Sequence, residues 1–114
     1  MARLMTLPLW TYKVKSFRVI DGDTIETEID LGFGVSVMQI LRLARINAPE
    51  MSTAEGVAAK AFLEEQLAGK SIVVQTTRTA KDKRDKYGRY IAEVFTERNI
   101  NDLMVATEHA VLYT

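Results

Sequence analysis

The sequence predicts a mainly β fold with helices, an α+β chain organised as a five-stranded barrel with two helices. Three observations lead there. Residues 23–30 alternate apolar and polar without a break. The Ala-rich stretch after Ser52 carries one broad apolar stripe that ends at Gly69. The elements follow one another as three strands, a helix, two strands and a helix.

Taken in order, WTYKVKSFRVI at 10–20 places Trp10, Tyr12 and Val14 on one parity and Phe17 and Val19 on the other, so a strand with a bulge near Ser16 is expected. DTIETEID then sets Ile25, Thr27 and Ile29 against Glu26, Glu28 and Asp30, a strand with one wet face. LGFG at 31–34 supplies two glycines for a reversal, and residues 35–46 return as a third, longer apolar strand. Pro49 stops it. Ser52 and Glu55 have the spacing of a capping box, and Ala58, Ala59, Phe62, Leu63 and Leu67 form the stripe of a helix over 53–68, with Gly69 at the left-handed C-terminal position. SIVVQTTR is a fourth strand, the charged run 79–89 a loop, and RYIAEVFTE a fifth strand. Asn101 is expected to cap a short second helix carrying Leu103, Met104 and Thr107. This is the element order of an OB-fold, which closes most of its sheet edges.

At 114 residues the chain fits a single domain, 1–114. Apolar residues make up 47% and charged residues 26%, in the range of a soluble globular protein. The formal net charge is zero, so affinity for a polyanion has to come from a local cluster of Lys and Arg. The lack of cysteine excludes a disulfide framework, thiolate zinc sites and cysteine nucleophiles. Residues 4–10 make a poor signal peptide, and no apolar run approaches the length of a membrane span, so a cytoplasmic protein without a membrane partner is expected.

Three short motifs sit at strand ends or in loops, where a rigid scaffold aims side chains. In VIDGDTI, Asp21 and Asp23 flank a glycine; a tight turn explains the triplet, and two acids one residue apart also suit a hard cation such as Ca2+. In RLARINAPE, Arg42 and Arg45 lie three apart on a strand, face opposite ways and cannot both serve one site. In DKYGR, Arg89 beside Tyr87 at a strand mouth can take a phosphate bidentately while the ring stacks on a base, or the segment is a solvated basic loop. His109, the only histidine, has no carboxylate nearby in sequence and reads as structural or exposed.

Together and in this order, VIDGDT, RLxxIxxPE and DKYGR resemble the staphylococcal nuclease family over roughly residues 12–112. The resemblance implies an OB-fold nuclease that uses Ca2+ to cleave phosphodiester bonds in DNA and RNA and leaves a 3′-phosphate. Carried onto this chain, it implies Asp23 as principal metal carboxylate with Asp21 close behind, the Ala48 carbonyl as a further ligand, and Asn47 in the place of the second metal carboxylate. Glu50 matches the acid that orients or deprotonates the attacking water. Arg42 and Arg89 match the arginines that grip the scissile phosphate, and Lys86 and Tyr87 match contacts to the terminal phosphate of the substrate.

Asn47 is the main departure. An amide oxygen still coordinates Ca2+, but one unit of charge is gone from the site. The expected function is therefore a Ca2+-dependent nuclease with raised Ca2+ demand, with a catalytically weak or inactive OB-fold nucleic-acid-binding module as the alternative. Set against the family resemblance, the chain is expected to be without the family's third helix and the aromatic residues that follow the second. Apolar barrel surface is left for the N-terminal residues or a second chain to cover, in a monomer or a homodimer.

Overall fold

The computed structural model describes residues 10–76 and 89–113. Its strands are β1 (Thr11–Asp21), β2 (Thr24–Gly32), β3 (Val35–Leu43), β4 (Ile46–Asn47), β5 (Ile72–Thr76), β6 (Tyr90–Phe95) and β7 (Val111–Leu112), with helices α1 (Ala54–Leu67) and α2 (Ile100–Ala106). Strands β1-β2-β3-β6-β5 close a barrel, and β4 and β7 form a separate two-stranded sheet. The five-stranded barrel with two helices is the architecture that the element order predicts.

The alternation over 23–30 does what its period requires. Ile25 and Ile29 are buried in the barrel with Thr27, while Glu26 and Glu28 lie outside and pair with Arg18 at 3.0 Å and Lys15 at 3.8 Å on β1. The parity change in β1 is a register shift between Val14 and Ser16, and a second shift precedes Asp21. The buried face of α1 adds Ala59, Leu63 and Leu67 to a core that includes Leu41, Leu43, Val74, Val94, Ile100 and Met104. Phe62 leaves α1 to stack on His109, centroids 4.1 Å apart, which gives the histidine a packing role. No helix among the described residues is long and apolar enough to cross a membrane.

Four local expectations change. The cap of α1 is Thr53, whose hydroxyl accepts from the Gly56 N–H at 3.0 Å, so the Ser52–Glu55 box is not the cap used. The apolar run 35–46 is not one strand: β3 ends at Leu43, and Arg45 turns the chain with φ +70° before β4 leaves the barrel. β7, absent from the sequence reading, follows α2 and pairs Leu112 with Ile46 and Val111 with Asn47.

The fourth concerns α2. It is capped by Asn99, whose side chain accepts from the Asp102 N–H, and not by Asn101. Asn101 is fully buried instead. Its amide accepts from the Val94 N–H at 2.9 Å and donates to the carbonyls of Ala44 at 2.9 Å and Ala92 at 3.1 Å. One side chain thereby ties α2 to β6 and to the corner where β3 gives way to β4. Asn101→Ala leaves the Val94 N–H and the Ala44 carbonyl without this partner, the Ala92 carbonyl keeping the Ala44 N–H at 2.8 Å, and is expected to cost about 3 kcal/mol, read by urea denaturation.

Candidate active site

The barrel brings the β1–β2 turn, the end of β3, the segment after β4, the start of β6 and the residue after β7 to one open hollow of about 910 Å3. Asp21, Asp23, Arg42, Asn47, Ala48, Glu50 and Arg89 all line it, with Tyr113. Residues distant in sequence therefore share one wall. Lys86 and Tyr87 lie outside the described residues.

Gly22 shows why the turn reads Asp-Gly-Asp. A Cβ there would lie 2.7 Å from the Cβ of Ala48 and 2.8 Å from that of Ala59. The turn, the post-β4 segment and α1 pack so closely that only small residues fit. Asp23 is buried at the bottom. Its Oδ2 accepts from the Ala48 N–H at 2.9 Å, its Oδ1 accepts from the Thr24 hydroxyl at 3.1 Å, and its own N–H donates to Asp21 Oδ1 at 3.1 Å. Burial first, and the Asp21 carboxylate second, push the Asp23 carboxyl above its ordinary range, while the Ala48 N–H and Arg42 pull it back.

The two arginines converge on these acids. Arg42 Nη1 donates to the Leu43 carbonyl at 3.1 Å, and its Nη2 donates to Asn47 Oδ1 at 2.7 Å and stands 3.6 Å from Asp23 Oδ2. Arg89 Nη1 donates to the Thr24 hydroxyl at 3.2 Å, so a chain of hydrogen bonds runs from Arg89 through Thr24 to Asp23. Glu50 is exposed at the rim, and its backbone is held from α1: the Glu50 carbonyl accepts from the Thr53 N–H at 3.0 Å and the Thr53 hydroxyl at 2.7 Å.

Arg45 does not line the hollow, because it turns the chain at φ +70° beyond the end of β3, and not because it alternates with Arg42 along one strand. It forks onto both Glu93 oxygens at 2.7 and 2.8 Å and reaches Asp102 at 2.8 Å, and these two carboxylates, Glu93 first, hold it strongly in the charged form. Its carbonyl accepts from the Tyr113 N–H at 2.8 Å. The corner thus carries the tyrosine back to the site, where its ring lies 5.5 Å from the Arg42 guanidinium carbon. Tyr113 carries no local signal in the sequence as a site residue, because only the β4–β7 pairing returns it to the hollow.

The side chains of Asp21, Asp23 and Asn47 that line the hollow carry hard oxygens, the type of donor that suits Ca2+. Burial that disfavours the charged form of Asp23 is the electrostatic situation a dication relieves. Among the described residues no three acids, histidines or cysteines gather into a metal cage, in keeping with an amide at position 47.

The staphylococcal nuclease homologue family matches residues 40–114, a stretch that includes Arg42, Asn47, Glu50 and Arg89. Two relatives described as uncharacterized endonucleases, from Escherichia coli O157:H7 and Escherichia coli, are 34% identical to this chain over 98 residues, covering 84% of it and 58% of each relative. An uncharacterized protein of Methanocaldococcus jannaschii is 27% identical over 124 residues, covering 90% of this chain and 56% of that protein. The chain spans little more than half the length of the curated relatives it matches.

Proposed function

This chain belongs to the staphylococcal nuclease family, and from that premise we propose that it is a calcium-dependent nuclease that hydrolyses phosphodiester bonds in DNA, RNA or both. The observation that carries the reading is the meeting of two guanidiniums with Asp21, Asp23 and Glu50 around one hollow open to solvent. Charge of both signs around a cleft wide enough for a phosphodiester suits in-line displacement at phosphorus.

Glu50 holds a water opposite the leaving oxygen and accepts its proton as the O–P bond forms. Arg42 and Arg89 face the oxygens on which negative charge builds, and they stabilise the transition state more than the bound substrate. Thr24 keeps Arg89 directed at the same point as Asp23. Asp21, Asp23 and the Ala48 carbonyl would hold calcium, with the Asn47 amide oxygen as a weak further donor. When bound, calcium supplies positive charge beside the phosphate and acidity to a nearby water. Lys86 and Tyr87 are assigned to the terminal phosphate of the substrate on the family resemblance alone.

Plasmid DNA and an unstructured RNA incubated with millimolar Ca2+ are expected to be cut, and EGTA is expected to stop the reaction. Intact substrate at millimolar Ca2+ overturns the proposal.

One observation favours a second reading, a module that binds nucleic acid without effective hydrolysis: the Asn47 oxygen is already engaged by Arg42. Asn47→Asp separates the two. A binding module gains Ca2+-dependent cleavage from the added carboxylate, whereas a working nuclease keeps its cleavage and needs less Ca2+ for half-maximal rate.

A further inference from the structure

Arg42 is held on four sides. Its Nη1 is bound to the Leu43 carbonyl, its Nη2 contacts the Asn47 amide and the Asp23 carboxylate, and the Tyr113 ring flanks it. The shortest of these contacts, 2.7 Å, is to a neutral group. The Arg42 side chain is 13% exposed, so its orientation is set by these partners and little by water.

The charges of the hollow give that neutrality a consequence. Asp21, Asp23 and Glu50 against Arg42 and Arg89 leave one negative charge in excess, and a phosphodiester adds another. An acid at position 47 would raise the repulsion and place a second carboxylate on Arg42 beside Asp23. An amide orients the guanidinium with the same kind of acceptor oxygen and cancels none of its charge.

Resting on the nuclease reading above, we propose that Asn47 is a positioning residue for Arg42: its neutral amide oxygen aims the guanidinium into the hollow without adding a second carboxylate to the one Asp23 already presents at 3.6 Å, so that the site takes a polynucleotide phosphate without first needing a divalent cation. The substitution that weakens the metal site thereby strengthens the metal-free phosphate site. Binding and metal loading become separable steps.

The test is binding, not turnover. Fluorescence anisotropy of a labelled single-stranded DNA oligonucleotide, in EDTA at low salt, is compared for the wild type, Asn47→Ala, Arg42→Ala and the double variant, with calcium affinity measured separately by calorimetry. Asn47→Ala adds no charge and removes the amide with its acceptor oxygen. It is expected to weaken metal-free binding by about three- to tenfold, a charge-assisted hydrogen bond being at stake, and to have less than about a twofold effect once Arg42 is absent. Asn47→Asp is expected to weaken metal-free binding at least as much while tightening calcium.

Wild-type anisotropy that does not rise in EDTA overturns the proposal. So does an Asn47→Ala variant that binds like the wild type, or losses that simply add in the double variant. A single cooperative melt of Asn47→Ala well above the assay temperature shows that loss of the fold is not the cause. Failure of the nuclease reading is a different result: a wild type that cuts nothing in calcium while positions 42 and 47 remain coupled in binding.

Discussion

Glu50→Gln is expected to slow phosphodiester cleavage by about 10²–10⁴-fold, the usual cost of a lost general base, while oligonucleotide binding and the melting temperature stay close to wild type. The separation follows from how Glu50 is held. Its carbonyl is fastened by the Thr53 N–H and hydroxyl at the start of α1, whereas its carboxylate stands at the exposed rim. Amide and carboxylate have the same shape, so the substitution leaves the fastening intact and removes only the proton acceptor. Arg42→Ala should lose about 10²–10³-fold, as for a removed oxyanion donor, with weakened binding as well, because on the proposed mechanism that side chain meets the phosphate before as well as in the transition state. Gel-based cleavage rates at saturating Ca2+, beside thermal melts of the same preparations, check both. Cleavage that survives Glu50→Gln and Arg42→Ala means that the site lies elsewhere.

Gly56→Ala is the second large effect, and its sign is the informative part. Gly56 lies in the first turn of α1, where helix propensity alone says alanine should stabilise by up to about 1 kcal/mol. The opposite is expected. A Cβ at this position would penetrate the Glu50 carbonyl and come within 2.9 Å of the Pro49 oxygen, and both are backbone atoms with no rotamer to escape into. The Pro49–Glu50 segment has to move outward, at a cost of about 1–3 kcal/mol for overpacking. Cleavage is expected to fall by about 10²-fold, since a general base displaced by about 1 Å no longer aligns its water. Urea denaturation and the cleavage assay read the two consequences together. A Gly56→Ala protein that is more stable than wild type and fully active would show that α1 does not hold Glu50 in place.

Much of the scaffold was legible because it repeats at short range. The alternation over 23–30 has to be a strand with one buried face, and the stripe from Ala58 to Leu67 has to be a helix with one. The three motifs VIDGDT, RLxxIxxPE and DKYGR singled out Asp21, Asp23, Arg42, Asn47, Glu50 and Arg89, which line the same hollow. Where the reading missed, two neighbouring residues could each do the job and distant partners chose between them. Ser52 and Thr53 are both competent caps, and the Glu50 carbonyl takes Thr53. Asn99 and Asn101 are both competent caps for α2, and three backbone groups on β6 and at the β3–β4 corner draw Asn101 inward. The apolar run 35–46 carries no local signal for its break at Arg45, because the left-handed residue there is stabilised by Glu93 and Asp102, 48 and 57 positions away.

The amino-acid sequence by itself determined the barrel, its helices and the charged residues that line the hollow, since periodicity, turn residues and charge are properties of short stretches of chain. Only the tertiary structure decided that Asn47 faces Arg42, that Tyr113 returns to flank the same guanidinium, and that Gly22 and Gly56 are required by close packing and not by backbone angle. Those are contacts between segments far apart in the chain, and a hydrogen bond of 2.7 Å or a missing Cβ acquires meaning only when the fold has set what stands opposite.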